Sequence, residues 1–74
     1  MWKEGVIGIS GVPYHYWAKV YDVGSQYGID GGRISKLMIK INGKITANYD
    51  RGWDVEPEDE ATQMAYAILL HNYN

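Results

Sequence analysis

Three sets of side chains in this sequence could do chemistry: lysines alternating with other residues, a run of carboxylates, and two histidines. Lys36, Lys40 and Lys44 share one parity of the stretch Ile34 to Asp50, with Arg33 and Arg51 near its ends and Trp17 upstream. Cations interleaved with aromatic rings on a sheet hold single-stranded nucleic acid, rings stacking on bases and ammonium groups meeting phosphates. Asp54, Glu56, Glu58, Asp59 and Glu60 are the densest charge. Such a run complements the positive end of a helix, or draws the basic groove of another macromolecule by standing in for phosphates. His15 and His71 lie far apart and lack the HExxH or His-x-His spacing that seats one metal ion, so no metal site is expected. Asp22, Asp30, Asp50, Asp54 and Glu56 could converge as acid and base or on a cation, but carboxylates beside loops ordinarily form turns. Gly28, Gly31 and Gly32 with Arg33 have the look of a phosphate cradle. They lack the GxxxxGK[ST] string and precede a strand, so no helix amino terminus faces the anion. No catalytic residue and no cofactor is expected.

The elements that must position these groups are read from periodicity. In ISKLMIKINGKITANYD, Leu37, Ile39 and Ile41 alternate with Lys36, Met38 and Lys40. After Asn42-Gly43, Ile45, Ala47 and Tyr49 alternate with Thr46, Asn48 and Asp50, the pattern of a half-buried β-hairpin. A two-residue loop would oppose Lys40 to Ile45 and Ile41 to Lys44, mixing charged and apolar partners. The spacing therefore predicts a three-residue connection, Ile41 to Gly43, with Leu37, Ile39, Ile45, Ala47 and Tyr49 on the dry face. Lys36, Met38, Lys40, Lys44, Thr46, Asn48 and Asp50 are expected on the wet one.

Upstream, Trp2 to Ile9 reads as an edge strand interrupted by a bulge or a close approach at its glycines. Gly11-Val12-Pro13 reads as a turn, and Tyr14 to Tyr21 as a strand whose alternation offers two inner faces, Tyr16, Ala18 and Val20 or His15, Trp17 and Tyr21; Lys19 belongs with the wet set, which favours the first and puts Trp17 outward. Asp22 to Arg33 is the longest loop, with Tyr27 and Ile29 as its anchors to the core. Downstream, Arg51-Gly52-Trp53-Asp54 is expected to turn the chain. A helix should run from about Glu58 to about His71 with Pro57 in its first turn, its stripe Ala61, Met64, Ala65, Ile68 and Leu69 covering the sheet. Tyr66, Leu70 and Tyr73 are left as a second stripe. The fold class is α+β, a four-stranded antiparallel sheet covered on one face by the carboxy-terminal helix, a two-layer sandwich in one domain, residues 1–74.

Composition narrows the class. With 74 residues there is room for one small core, and with no Cys there are neither disulfides nor thiolate sites. No signal-type or membrane-spanning apolar run occurs, so a soluble cytoplasmic protein without a membrane partner is expected. A net charge of -2 argues against broad phosphate-driven affinity. Its 7 Tyr and 3 Trp against no Phe favour rings buried on one side and wet at the tip, the habit of interfaces.

The strings YGIDGGRISKLMIK and NYDRGWD resemble a small uncharacterised family from Gram-positive bacteria, their phages and mobile elements. The resemblance covers roughly Tyr21 to Pro57 and carries no assigned chemistry. It implies a phage or mobile-element accessory protein, a setting in which small proteins often inhibit host defence, anti-CRISPR proteins among them. The leading expectation is accordingly a non-enzymatic inhibitor that occupies a host or phage protein through Trp17, Trp53, Asp54, Glu56, Glu58 and Asp59. The alternative is a nucleic-acid-binding module using Arg33, Lys36, Lys40 and Lys44. Burial of Tyr66, Leu70 and the open sheet face between two copies would give a homodimer.

Overall fold

In the computed structural model, which describes residues 1–74, five strands form one antiparallel sheet in chain order: β1 (Trp2–Ile9), β2 (Val12–Val20), β3 (Ile34–Ile41), β4 (Lys44–Asp50) and β5 (Trp53–Val55). The helix α1 (Glu60–Tyr73) packs on one face, against β1, β2 and β3. The expected α+β sandwich is therefore present, with one strand more than the pattern foretold. Ala18, Val20, Ile34, Leu37, Ile39, Ala47 and Tyr49 from the sheet meet Ala65 and Leu69 from α1 in the core, and Ile29 plugs one end. No helix is long and apolar enough to cross a membrane.

Turn chemistry departs from expectation at three places. The central hairpin has a two-residue loop, Asn42 and Gly43, both at positive φ (50° and 78°), the type I′ geometry whose twist suits antiparallel strands. Ile41 opposes Lys44 and Lys40 opposes Ile45, and a bulge then restores Ile39 to Ala47 and Leu37 to Tyr49. The extra residue sits inside β4 rather than in the loop. Consequently Ile45 joins the wet face, 37% exposed, and Lys44 moves to the helix side.

The first hairpin turns at Ser10-Gly11 (φ 51° and 79°), not at Gly11-Val12-Pro13; Val12 and Pro13 already belong to β2. Proline is tolerated there because pairing with β3 begins only at His15. β1 is an edge as expected, but its register is unbroken from Trp2–Lys19 to Ile9–Val12, so it has no bulge. Its glycine serves a neighbour's ring: a Cβ on Gly5 would come within 2.8 Å of the Tyr16 hydroxyl.

The third departure is β5. Only Arg51-Gly52 turn the chain, and Trp53 then pairs with Tyr49 while Val55 pairs with Asn48, Asp54 bulging between them. Burial of a large ring is the cause. Trp53 lies edge-on between Tyr49 (5.0 Å between centroids) and Tyr66 (5.4 Å), drawing the segment onto the sheet.

The helix begins later than expected because Asp59 outcompetes Pro57 as its start. The Asp59 carboxylate accepts from the Thr62 amide (3.0 Å) and the Thr62 hydroxyl (2.6 Å), which caps the helix and satisfies a fully buried threonine. The hydroxyl bond, then the amide bond, holds the Asp59 carboxyl below its ordinary range. The covering stripe is also rotated. Thr62, Ala65 and Leu69 are buried, with Ala61, Tyr66, Leu70 and Tyr73 against the core, whereas Met64 and Ile68 are exposed. The carboxy-terminal end is fixed by Asn74, whose amide donates to the Ile29 carbonyl (3.0 Å) and accepts from the Ile34 amide (3.0 Å).

One further tie joins helix to sheet, the Tyr16 and Tyr73 hydroxyls 3.2 Å apart. The bond to Tyr73, and then burial, push the Tyr16 hydroxyl up from its ordinary 10.0 to about 12. The fold thus favours neutral Tyr16, a contribution fully present below pH 10 and lost as pH rises toward about 12. Urea unfolding is expected to lose midpoint across that alkaline window. Tyr16→Phe should lower stability by about 1 kcal/mol at neutral pH and flatten the alkaline slope. An unchanged slope would exclude this pair as its source.

Candidate binding face

The face away from α1 is uncovered, and directly opposed residues of neighbouring strands share a face, so register alone arranges it in rows. Trp2, Lys19, Lys36 and Asp50 form the first row. Glu4, Trp17, Met38, Asn48 and Val55 form the second, and Val6, His15, Lys40 and Ile45 the third. One diagonal runs Trp2, Trp17, Lys40, and another sets Lys36 beside Trp17. A hollow of about 440 Å³ opens between the two tryptophans, lined by Trp2, Trp17, Met38, Asn48, Lys36 and Asp50 above the sheet backbone.

Trp17 is held in place by its neighbours, whereas Trp2 is 57% exposed. His15 stacks on Trp17 at 4.3 Å and 13°, and its Nε2 lies 3.2 Å from the Glu4 carboxylate. Lys40 Nζ lies 6.0 Å from the Trp17 centroid; Lys19 Nζ lies 6.0 Å from that of Trp2 and 5.5 Å from that of Tyr21. These separations sit at the outer reach of cation–π attraction, so the ammonium groups are oriented without being tied down. Lys36 approaches Asp50 at 3.9 Å with both side chains well exposed, a weak and screened pair. An apolar slot flanked by rings, with an amide donor and acceptor at Asn48, Lys36 beside Asp50 at its rim and Lys19 and Lys40 on the neighbouring strand positions, can take a flat heteroaromatic group attached to an anion.

The first surface expected from sequence is divided between distant parts of the molecule. Trp17 lies on the open face, whereas Trp53 is half-buried on the helix side. Asp54 is the bulge of β5, Glu56 and Glu58 are exposed ahead of the helix, and Asp59 is committed to its cap. Trp53 and Glu56 do share a shallow depression with Tyr66. Of the basic set, Lys36 and Lys40 lie on the open face as expected. Lys44 is on the other side, its charge felt by Asp59, and Arg33 lines a separate hollow with Lys3 and Asp22. No three histidine or carboxylate side chains gather. The glycines of the Asp22 to Arg33 loop let the chain fold back on itself: a Cβ on Gly28 would run into the Gly32 carbonyl, and one on Gly32 into the Asn74 amide.

Trp2 is the ring that sequence reading missed. Its signal was available in principle, since a tight turn at Ser10-Gly11 places Trp2 opposite Lys19, already read as outward.

Compared with known proteins, the whole chain, residues 1–74, matches the model of a family described as a domain of unknown function, DUF7678, and belongs to that family. The match includes the first strand and the helix, beyond the stretch that carried the resemblance above. Neither a curated protein nor a solved structure matches the chain.

Proposed function

For this member of the DUF7678 family, we propose a non-enzymatic binding role in which the open sheet face holds single-stranded nucleic acid. The observation that carries the reading is the interleaving of Trp2 and Trp17 with Lys19, Lys36 and Lys40 around an apolar hollow. A base would enter the hollow and stack, and the ammonium groups would meet the phosphates on either side. The net charge of -2 is compatible with this because Asp54, Glu56, Glu58 and Glu60 lie near the helix start, leaving Lys19, Lys36 and Lys40 to outnumber Glu4 and Asp50 on that face. The mobile-element setting implied by the resemblance suits a small protein acting stoichiometrically by covering a surface.

A second reading, an inhibitor that occupies a host-defence protein, is favoured by one feature. Val6, Ile45 and Val55, exposed by 57%, 37% and 40%, stand around the same rows and would extend an apolar protein contact.

Titration of a labelled oligothymidylate, followed by fluorescence anisotropy at rising salt, tests the proposal. Affinity should fall with salt at a log–log slope of about -2, as three lysines at ~0.7 each require. Trp17→Ala should weaken binding by ~10- to 100-fold, and Lys36→Glu with Lys40→Glu should abolish it. No anisotropy change at low salt would sink the nucleic-acid reading. Capture of a purified protein partner that survives high salt, is lost in Trp17→Ala and is spared by the lysine reversals would replace it with the second.

A further inference from the structure

At the Trp2 end of the open face lies a second hollow, of about 320 Å³, which shares Lys36 with the first. It gathers Lys19, Lys36 and Arg51 with the side chains of Tyr21, Tyr27 and Ser35, and no carboxylate lines it. In a chain with more acidic than basic residues, such a segregation is not what random solvation of a surface would leave.

Several local features hold its walls. A register shift between β2 and β3 falls at Ser35, whose hydroxyl points to the Lys19 carbonyl at 3.5 Å and whose carbonyl accepts from the Arg51 amide at 3.3 Å. Arg51 occupies the left-handed region (φ 59°), a conformation that glycine would adopt at lower cost, in the turn joining β4 to β5. From there its guanidinium lies 5.3 Å over the Tyr27 ring. Tyr27 is itself fixed: its amide donates to the Ser25 hydroxyl (3.2 Å) and its carbonyl accepts from the Tyr49 hydroxyl (2.9 Å). The protein thus keeps an arginine where glycine fits the backbone better, beside two lysines that repel it.

We propose that this hollow is the seat of a phosphate group. The Arg51 fork and the two ammonium groups supply charge, and the Tyr21 and Tyr27 hydroxyls supply further donors, the combination that suits phosphate oxygens. Resting on the nucleic-acid reading above, it takes a backbone phosphate of the nucleotide whose base enters the tryptophan hollow, Lys36 serving both. The seat sits at one end of that hollow, so it would fix which way the strand runs across the sheet.

The test uses inorganic phosphate and the oligothymidylate separately. In ¹H–¹⁵N spectra, phosphate should shift the Tyr27, Ser35 and Arg51 signals and saturate in the range of about 1 mM. Arg51→Gly should raise the melting temperature by about 4–8 °C, as removal of left-handed strain predicts, while weakening phosphate at least tenfold. Arg51→Gln should weaken phosphate without the thermal gain. A structural role for the arginine would not separate stability from affinity in this way. If phosphate leaves these signals unmoved, the seat is refuted. If the oligonucleotide binds equally well to the wild type and Arg51→Gly, the seat is refuted while the nucleic-acid reading stands. If phosphate binds there and the oligonucleotide does not bind at all, the seat stands and that reading falls.

Discussion

Leu69→Ala is expected to destabilise the domain by about 2–5 kcal/mol, the range for removing a buried leucine from a core that closes only partly over the gap. A domain of this size has only several kcal/mol of stability, so much of the population would be unfolded at 37 °C. Leu69 is 1% exposed and faces the sheet, whereas its neighbour Ile68, 40% exposed, faces outward. Ile68→Ala should therefore cost less than about 1 kcal/mol. Urea denaturation of the two variants measures the rotation of the helix directly. Equal losses, or a larger one at Ile68, would mean that α1 presents the stripe expected from sequence spacing and not the one described here.

Gly28→Ala is the second large effect, and its origin is steric. Gly28 has φ -74° and ψ 157°, angles open to alanine, so no conformational cost arises from the backbone itself. A Cβ there would instead collide with the Gly32 carbonyl, which is backbone and cannot rotate aside. The loop must open, disturbing Ile29, which is 2% exposed, and the two Asn74 hydrogen bonds that anchor the helix end. A loss of about 3 kcal/mol is expected, at the upper end for overpacking. Two neighbours calibrate the result. Gly31→Ala meets open space at φ 73° and should cost about 1 kcal/mol for the left-handed angle alone. Gly8→Ala, with open space and an ordinary strand conformation, should stay within about 0.5 kcal/mol. Thermal melts that rank Gly28 with Gly8 would refute the tight packing of this loop.

The central hairpin was readable because Leu37, Ile39, Ala47 and Tyr49 keep period two whichever residue is extra. A three-residue loop and a two-residue loop followed by a bulge both place one additional residue between Ile39 and Ala47. They differ only in the fate of Ile45 and Lys44; the Asn42-Gly43 dipeptide, which favours a two-residue type I′ loop, outweighed the pairing of apolar with charged residues that argued for three. Trp53 to Val55 is too short to display any period, so β5 is visible only once Tyr49 and Tyr66 are there to receive Trp53. The helix carries apolar residues around most of its circumference. Its rotation was chosen by Asp59 with Thr62, Tyr73 with Tyr16, and Asn74 with Ile29 and Ile34, all but the first being long-range contacts.

The binding face divides in the same manner. Alternation marked Lys36 and Lys40 as outward in β3; in β2 it left two candidate faces, and the charge of Lys19 set Lys19 and with it Trp17 outward, since residues of one parity share a face. Trp2 and Arg51 joined them only through tertiary structure. Trp2 needs the turn at Ser10-Gly11 to be set against Lys19, and Arg51 needs a left-handed turn held by Ser35 on another strand. Sequence by itself determined the main elements and the dry residues that keep period two in the sheet, Ala18, Leu37, Ile39, Ala47 and Tyr49. How those elements stand against one another was decided by register, by helix rotation and by the fit of a few large rings, because these depend on contacts between residues far apart in the chain.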